Sequence, residues 1–144
     1  MFSEIYEREV LVDTSAVIAL HDPKENKNSV AVEALASISD HNLSALNVTS
    51  HESYTRARYD LSYRAASEVY DFLRNQKVNV LCFDKADEIE AKRILDKYED
   101  HDLSFHDALC ASVMKRVGIF KIFTFDKHFQ IMGFEVIPAL YKYE

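Results

Sequence analysis

Apolar residues in this chain fall into two alternating patterns. Short, mostly apolar runs occur at Val10-Leu11-Val12, Leu43 to Val48, Val78 to Phe83, Ile119 to Phe125 and Phe134 to Ile137. Runs of this length read as strands buried on both faces. Between them the apolar positions recur at helical spacing. Ala16 to Leu20 form one such segment, and Ala31, Ala34, Leu35 and Ile38 a second. Ala66, Val69, Tyr70 and Leu73 form another, followed by Ala91, Ile94, Leu95 and Tyr98, and by Leu109, Val113 and Val117. Thr14 and Ser15 can cap the first helix, and Thr49-Ser-His-Glu52 reads as a capping box opening a helix after the second strand. Ser104 and Asp107 make the same pattern before the last long helix, and Gly118 stands where a left-handed terminator belongs. Strands alternating with helices predict an α/β fold, a three-layer α/β/α sandwich around a central parallel sheet of four to five strands. At 144 residues the expectation is one domain spanning 1–144.

Composition narrows the picture. The chain is 48% hydrophobic, enough for a proper core. It has no long uncharged apolar run, so no membrane span is predicted. The start, Met-Phe-Ser-Glu-Ile-Tyr-Glu-Arg-Glu, places acids where a signal peptide needs basic and then apolar residues, so a cytoplasmic protein is expected. Cys82 and Cys110 lie in apolar contexts and read as reduced core residues. Two glycines leave no material for a Gly-rich phosphate cradle. The net charge of −7 argues against strong nonspecific attraction to nucleic acid, but a bound divalent cation would supply positive charge locally.

Four acids fall at equivalent places in this scheme. Asp13 ends the first strand and Asp126 the fourth; Glu52 and Asp107 each stand in the first turn of a helix. All four are thereby sent to the carboxyl edge of the sheet, where open α/β sheets bind ligands. Singly, each has an ordinary explanation, since acids favour the first turn of a helix and Asp126 can cap a turn. Together they repel one another, and a hard divalent cation relieves the repulsion. Magnesium prefers oxygen donors and keeps several waters. Such an ion activates water and stabilises charge on a phosphodiester.

The motifs Leu11-Val-Asp13-Thr-Ser-Ala, His51-Glu52-Ser-Tyr-Thr, Leu103-Ser-Phe-His-Asp107-Ala and Thr124-Phe-Asp126-Lys-His-Phe, followed by Gly133-Phe134, occur in this order. In this the chain resembles the PIN-domain family, most closely the small VapC-type toxin ribonucleases, over nearly its whole length. The resemblance implies that Asp13, Glu52, Asp107 and Asp126 are catalytic and hold one or two Mg2+ or Mn2+ ions. It also implies a hydroxyl after the first acid, supplied by Thr14 and Ser15. The implied function is a metal-dependent endoribonuclease, the toxin of a toxin–antitoxin pair, with an RNA substrate, a homodimer and a cognate antitoxin. An arginine or lysine of that antitoxin would enter the acidic pocket. The alternatives are a housekeeping RNA-processing nuclease and a catalytically silent binding module.

Secondary candidates follow from position. Asp102 can support the acids from outside, or be a solvated loop residue. Arg56, Arg58, Lys127 and His128 can meet RNA phosphates, or be ordinary surface residues. His101 and His106 are read as uninvolved in metal binding, because His106 and Asp107 are adjacent on a helix and should point in different directions. Tyr54, Tyr59, Tyr63 and Tyr70 are expected to pack in the core or a dimer rather than stack on bases.

Overall fold

A computed structural model describes residues 8–139, so the acidic N-terminal stretch up to Glu7 lies outside the described residues. Five strands form one sheet: β1 (Glu9–Val12), β2 (Asn42–Leu46), β3 (Val78–Leu81), β4 (Lys121–Phe123) and β5 (Glu135–Ile137). Their order is β3-β2-β1-β4-β5, and every pairing is parallel. The helices are α1 (Thr14–Leu20), α2 (Asn28–Ser37), α3 (Asn47–Asp60), α4 (Tyr63–Leu73), α5 (Lys85–Lys97), α6 (Phe105–Val117) and the single turn α7 (His128–Ile131).

Side chains alternate across a strand, and that alternation divides the core in two. Val10 and Val12 of β1, Ala45 of β2 and Phe123 of β4 face one layer, built from α1 to α4 with Val17, Ala31, Ala57, Val69 and Leu73. Leu11, Leu46 and Ile122 face the other, where Ala91 and Ile94 of α5, the small and apolar face of α6 and Phe129 lie. The expected three layers are therefore present, with a five-stranded sheet.

Several local expectations are corrected. Thr14 and Ser15 lie inside α1, and Asp13 occupies the N-cap position without a side-chain capping bond. The helix after β2 starts at Asn47, not at Thr49, so Glu52 belongs to its second turn. The reason is that the hydroxyls of the apparent capping box are used elsewhere: Thr49 meets His106 at 2.7 Å, and Ser50 donates to the Asn47 carbonyl. Strands β2 and β3 stop at Leu46 and Leu81, short of the apolar runs, and Cys82 is exposed whereas Cys110 is buried. Tyr59 and Tyr63 are exposed and take no part in the core. The α6 expectations hold: Ser104 and Asp107 form a reciprocal capping box, and Gly118 terminates the helix at φ 82°. Among the described residues no helix is long and apolar enough to cross a membrane.

One ion pair pins α6 to α5. Asp87, buried and part of the α5 capping box, receives Arg116 Nε at 2.8 Å and its second nitrogen at 3.0 Å, while Ser112 donates to the Asp87 carbonyl. The guanidinium hydrogen bond holds the Asp87 carboxyl below its usual value, against the opposing effect of burial. Arg116→Leu should therefore cost about 2 kcal/mol at pH 7 by leaving a buried carboxylate short of donors. Because the folded pKa is depressed, this contribution is present above the unfolded value of about 3.9 and is lost as pH falls through the folded value. Urea melts of both proteins at pH 7 and pH 3 check this: the gap should narrow in acid.

Candidate active site

The strand order reverses direction between β1 and β4, which places a crevice beyond their carboxyl ends. Asp13 follows β1 directly, and its N–H still pairs with the Phe123 carbonyl at 3.0 Å, so sheet geometry sets its position. The residue is 3% exposed. Its Oδ2 accepts from Thr124 Oγ1 at 2.7 Å and from Ser15 Oγ at 3.1 Å. Ser15 Oγ in turn accepts the Phe125 N–H, and Thr124 Oγ1 accepts the Asp126 N–H. Two hydroxyls thus lock one Asp13 oxygen and stitch the β1 end to the β4 loop.

The other side of the crevice is organised by a residue that the sequence reading set aside. His106, on the first turn of α6, is nine-tenths buried, with Nδ1 3.1 Å from Glu52 Oε2, 3.7 Å from Asp13 Oδ1 and 4.0 Å from Asp107 Oδ1. The expectation that adjacent His106 and Asp107 diverge is corrected. Asp107 Oδ2 is bent back to the Ser104 N–H by the capping box, leaving Oδ1 on the His106 side. The ring is held from behind by Thr49 Oγ1 on Nε2 and by the buried Cys110 sulfur. Glu52 Oε2 is buried and makes no hydrogen bond, while Oε1 lies 3.7 Å from the Arg56 guanidinium.

The electrostatics follow from this crowding. Burial pushes Asp13 above its usual carboxyl value; His106 pulls it down and Asp107 pushes it up again. Glu52 is raised for the same first reason, burial, with His106 opposing and Asp13 assisting. Burial also acts to raise Asp107, but His106 and the Ser104 donors outweigh it and the net shift is down. Burial opposes protonation of His106, yet its neighbours push it up. Cys110 would contribute only as thiolate, and burial pushes that thiol up, so we assign the effect to the carboxylates.

The remaining candidates are placed as follows. Asp126 lies three residues past the end of β4, linked to Asp13 through Thr124, with Oδ1 2.7 Å from His128 Nδ1 and accepting the His128 N–H. His128 therefore serves Asp126, and its ring packs edge-on against His101. Thr14 is buried and receives the Ser53 hydroxyl, on the far side of α1 from the Ser15 role. Asp102 and Lys127 are exposed. Arg58 stacks over Tyr63 on α4. Arg56 instead borders a cleft of about 200 Å³ together with Ser15, Lys27 and Phe125, and Lys27 lies over the Phe125 ring. Sequence reasoning weighed His106 and set it aside, read Thr49 only as a cap, and missed Thr124 and Lys27. Thr124, two residues before Asp126 within a quoted motif, carried a local signal; Lys27 did not.

A buried carboxylate oxygen facing an imidazole nitrogen, beside two more carboxylates, is a place where positive charge lowers the energy. Asp13, Glu52 and Asp107 supply oxygen donors suited to a hard divalent ion.

Comparison with known proteins agrees with this fold. The family model of the PIN domain matches residues 10–135. No curated protein matches by sequence. Among solved structures, the Mycobacterium tuberculosis toxin VapC20, described as cleaving the sarcin–ricin loop, is 26% identical with a TM-score of 0.81, over 87% of this chain and 95% of that one. FitAcB from Neisseria gonorrhoeae is 18% identical (TM-score 0.65, 88% and 95% covered). VapBC2 from Rickettsia felis, bound to a DNA fragment from its promoter, is 13% identical (TM-score 0.63, 89% and 96% covered). The last two bear on the fold alone.

Proposed function

The chain belongs to the PIN-domain family, and from that premise we propose that it is a metal-dependent endoribonuclease, the toxin of a toxin–antitoxin pair. The observation that carries this reading is that oxygens of Glu52, Asp13 and Asp107 all lie within 4.0 Å of His106 Nδ1 at the sheet's switch crevice. Asp13, Glu52 and Asp107 would hold a divalent ion, Mg2+ or Mn2+, with Asp126 completing the acidic wall. When bound, the ion supplies an activated water and stabilises charge on the phosphodiester. Ser15 and Thr124 keep the Asp13 carboxylate oriented by donating to Oδ2, and leave Oδ1 free. Arg56 and Lys27, on the cleft beside Ser15, would meet the RNA backbone and offset the acidic field. Arg58 and the exposed Lys127 would meet RNA phosphates along its flanks, and Asp102 would support the acids from outside.

One likeness supports the biological role: VapC20 is described as a toxin that cleaves the sarcin–ricin loop. An antitoxin partner and a homodimer belong to the same proposal. The direct test is cleavage of total RNA by purified protein with Mg2+, with Mn2+ and with chelator. Cleavage that persists in chelator would defeat the reading; metal-dependent cutting at a few sites supports it.

A prediction arises from the hydroxyl lock. Thr124→Val keeps the buried volume but removes the shorter of the two donors to Asp13 Oδ2. Loss of such an outer support typically costs 10–100-fold in metal affinity or activity. We expect roughly that loss, with the melting temperature of the metal-free protein shifted by only a few degrees, read by a cleavage assay beside a thermal melt.

A further inference from the structure

We propose that the cleft beside Ser15 is a nucleobase pocket that selects guanine in the nucleotide next to the cleaved bond. The Phe125 ring is its stacking face and the Asp60 carboxylate its reading group. This rests on the endoribonuclease reading and names what the substrate of that enzyme must present. The cleft measures about 200 Å³. Glu25 and Lys27 enter it from the loop after α1, Arg56 and Asp60 from α3, and Phe125 and Ser15 from the site itself. Ser15 ties this lining to the acidic crevice: its Oγ donates to Asp13 Oδ2 at 3.1 Å and accepts the Phe125 N–H at 2.9 Å. Phe125 stands in the chain between Thr124, which also donates to Asp13, and Asp126. On α3, Glu52, Arg56 and Asp60 follow at four-residue spacing, so Asp60 lies about 12 Å along the helix axis from Glu52. Arg56, 3.7 Å from Glu52, is placed for a phosphate at the crevice. Asp60, one turn farther, is placed for the base of the adjoining nucleotide.

The chemistry of the lining chooses the base. Phe125 is half-buried, and the ammonium of the exposed Lys27 lies over its ring, 5.3 Å from the centroid. An exposed ammonium gains less over a ring than a stacked base does, so a base displaces it and Lys27 turns to the backbone. Among the described residues, neither Asp60 nor Glu25 forms an ion pair, which leaves both carboxylates available to a ligand. An ionised carboxylate only accepts hydrogen bonds. Guanine offers two adjacent donors, N1–H and the N2 amine, which one carboxylate takes together. Adenine and cytosine set an acceptor beside their amine, and uracil sets its single N–H between two carbonyls, so each would turn a lone pair toward the carboxylate. Unstacked bases of single-stranded RNA are read in this way, stacked on an aromatic ring and bonded along the Watson–Crick edge. Asp60 rather than Glu25 takes that edge, because it shares its helix face with Arg56, which fixes the neighbouring phosphate.

The experiment has two arms, both on the full chain. Fluorescence anisotropy in chelator measures binding of short oligouridylates that carry one central guanine, inosine or adenine. Sequencing of the ends made from a randomised single-stranded RNA, with Mg2+ or Mn2+, reads the bases beside the cut. Inosine lacks only the N2 amine of guanine. Wild type should bind the guanine strand about 10-fold more tightly than the inosine or adenine strand, and the ends should carry guanine at one fixed position. Asp60→Asn should erase the difference between guanine and inosine, whereas Glu25→Gln should keep it. Phe125→Ala should weaken all three strands alike, because stacking is blind to the base. Equal wild-type binding of the guanine and inosine strands, or cutting without base preference, overturns the pocket and leaves the nuclease reading standing. A difference erased by Glu25→Gln and kept by Asp60→Asn overturns the role of Asp60. Guanine selection that Asp60→Asn erases, with no metal-dependent cutting, upholds the guanine pocket and removes the nuclease reading. The inosine comparison is made on wild type, so it decides the point even where Phe125→Ala fails to fold.

Discussion

Asp13→Asn is expected to reduce RNA cleavage by more than about 100-fold, beyond the 10–100-fold typical of residues that only support a ligand. Asp13 is 3% exposed, sits at the end of β1, and turns Oδ1 toward the His106 ring that Glu52 and Asp107 also approach. Asparagine keeps the shape and the acceptor for Ser15 and Thr124 on one atom, but it removes the charge. The same change should not weaken the metal-free fold. Burial pushes Asp13 above its usual range. A carboxyl with a raised folded pKa costs stability as pH rises past its unfolded value of about 3.9, and the full cost is present above the folded value. Without metal at pH 7 the variant should therefore be at least as stable as wild type, with the difference vanishing in acid below about pH 4. Near-wild-type cleavage at saturating metal, or a large loss of metal-free stability, would each count against this account.

The second large effect is thermal. A ligand that binds only the folded state at 100 times its Kd stabilises by about 2.7 kcal/mol. For a domain of this size that is roughly 6–11 °C in melting temperature. We expect such a shift on adding divalent metal to wild type. Asp107→Asn combined with Asp126→Asn should lose most of the metal response, and because the Asp107 carboxyl sits below its usual value, removing its charge should lower the metal-free melting temperature rather than raise it. Asp107 contributes more of the metal response, since its Oδ1 lies on the His106 side of the crevice while Asp126 Oδ1 engages His128. A shift that survives in the double variant would place the ion elsewhere. Differential scanning calorimetry with and without chelator makes the measurement.

Much of this protein was legible along the chain because local rules and the global fold agree. The short apolar runs give the strands, since a strand buried on both faces has no polar side to show, and β1 with Val10, Leu11 and Val12 all fully buried is the clearest case. The α6 capping box and the Gly118 terminator are set by residues within one or two turns of one another, so sequence alone determined them. The carboxyl-edge placement of Asp13 and Asp107 follows from the same local grammar. Where local rules failed, a distant partner had claimed the residue. Thr49 and Ser50 read as a cap, but Thr49 is spent on His106, 57 positions away in the chain. Glu52 reached the crevice from the second turn of α3, because that helix begins at Asn47.

His106 is the sharpest instance. Helical spacing says that neighbours diverge, and for most pairs that is enough. Here the capping box bends Asp107 back along the helix, while Thr49 and Cys110 hold the imidazole from the other side, so the two meet the same crevice. The sequence by itself determined the layers, the strand-end acids and the helix caps, because each depends on residues a few positions apart. Only the tertiary structure decided which hydroxyls orient Asp13 and which nitrogen stands among the carboxylates. Those contacts join β1, α3, α6 and the β4 loop across separations that no local periodicity encodes.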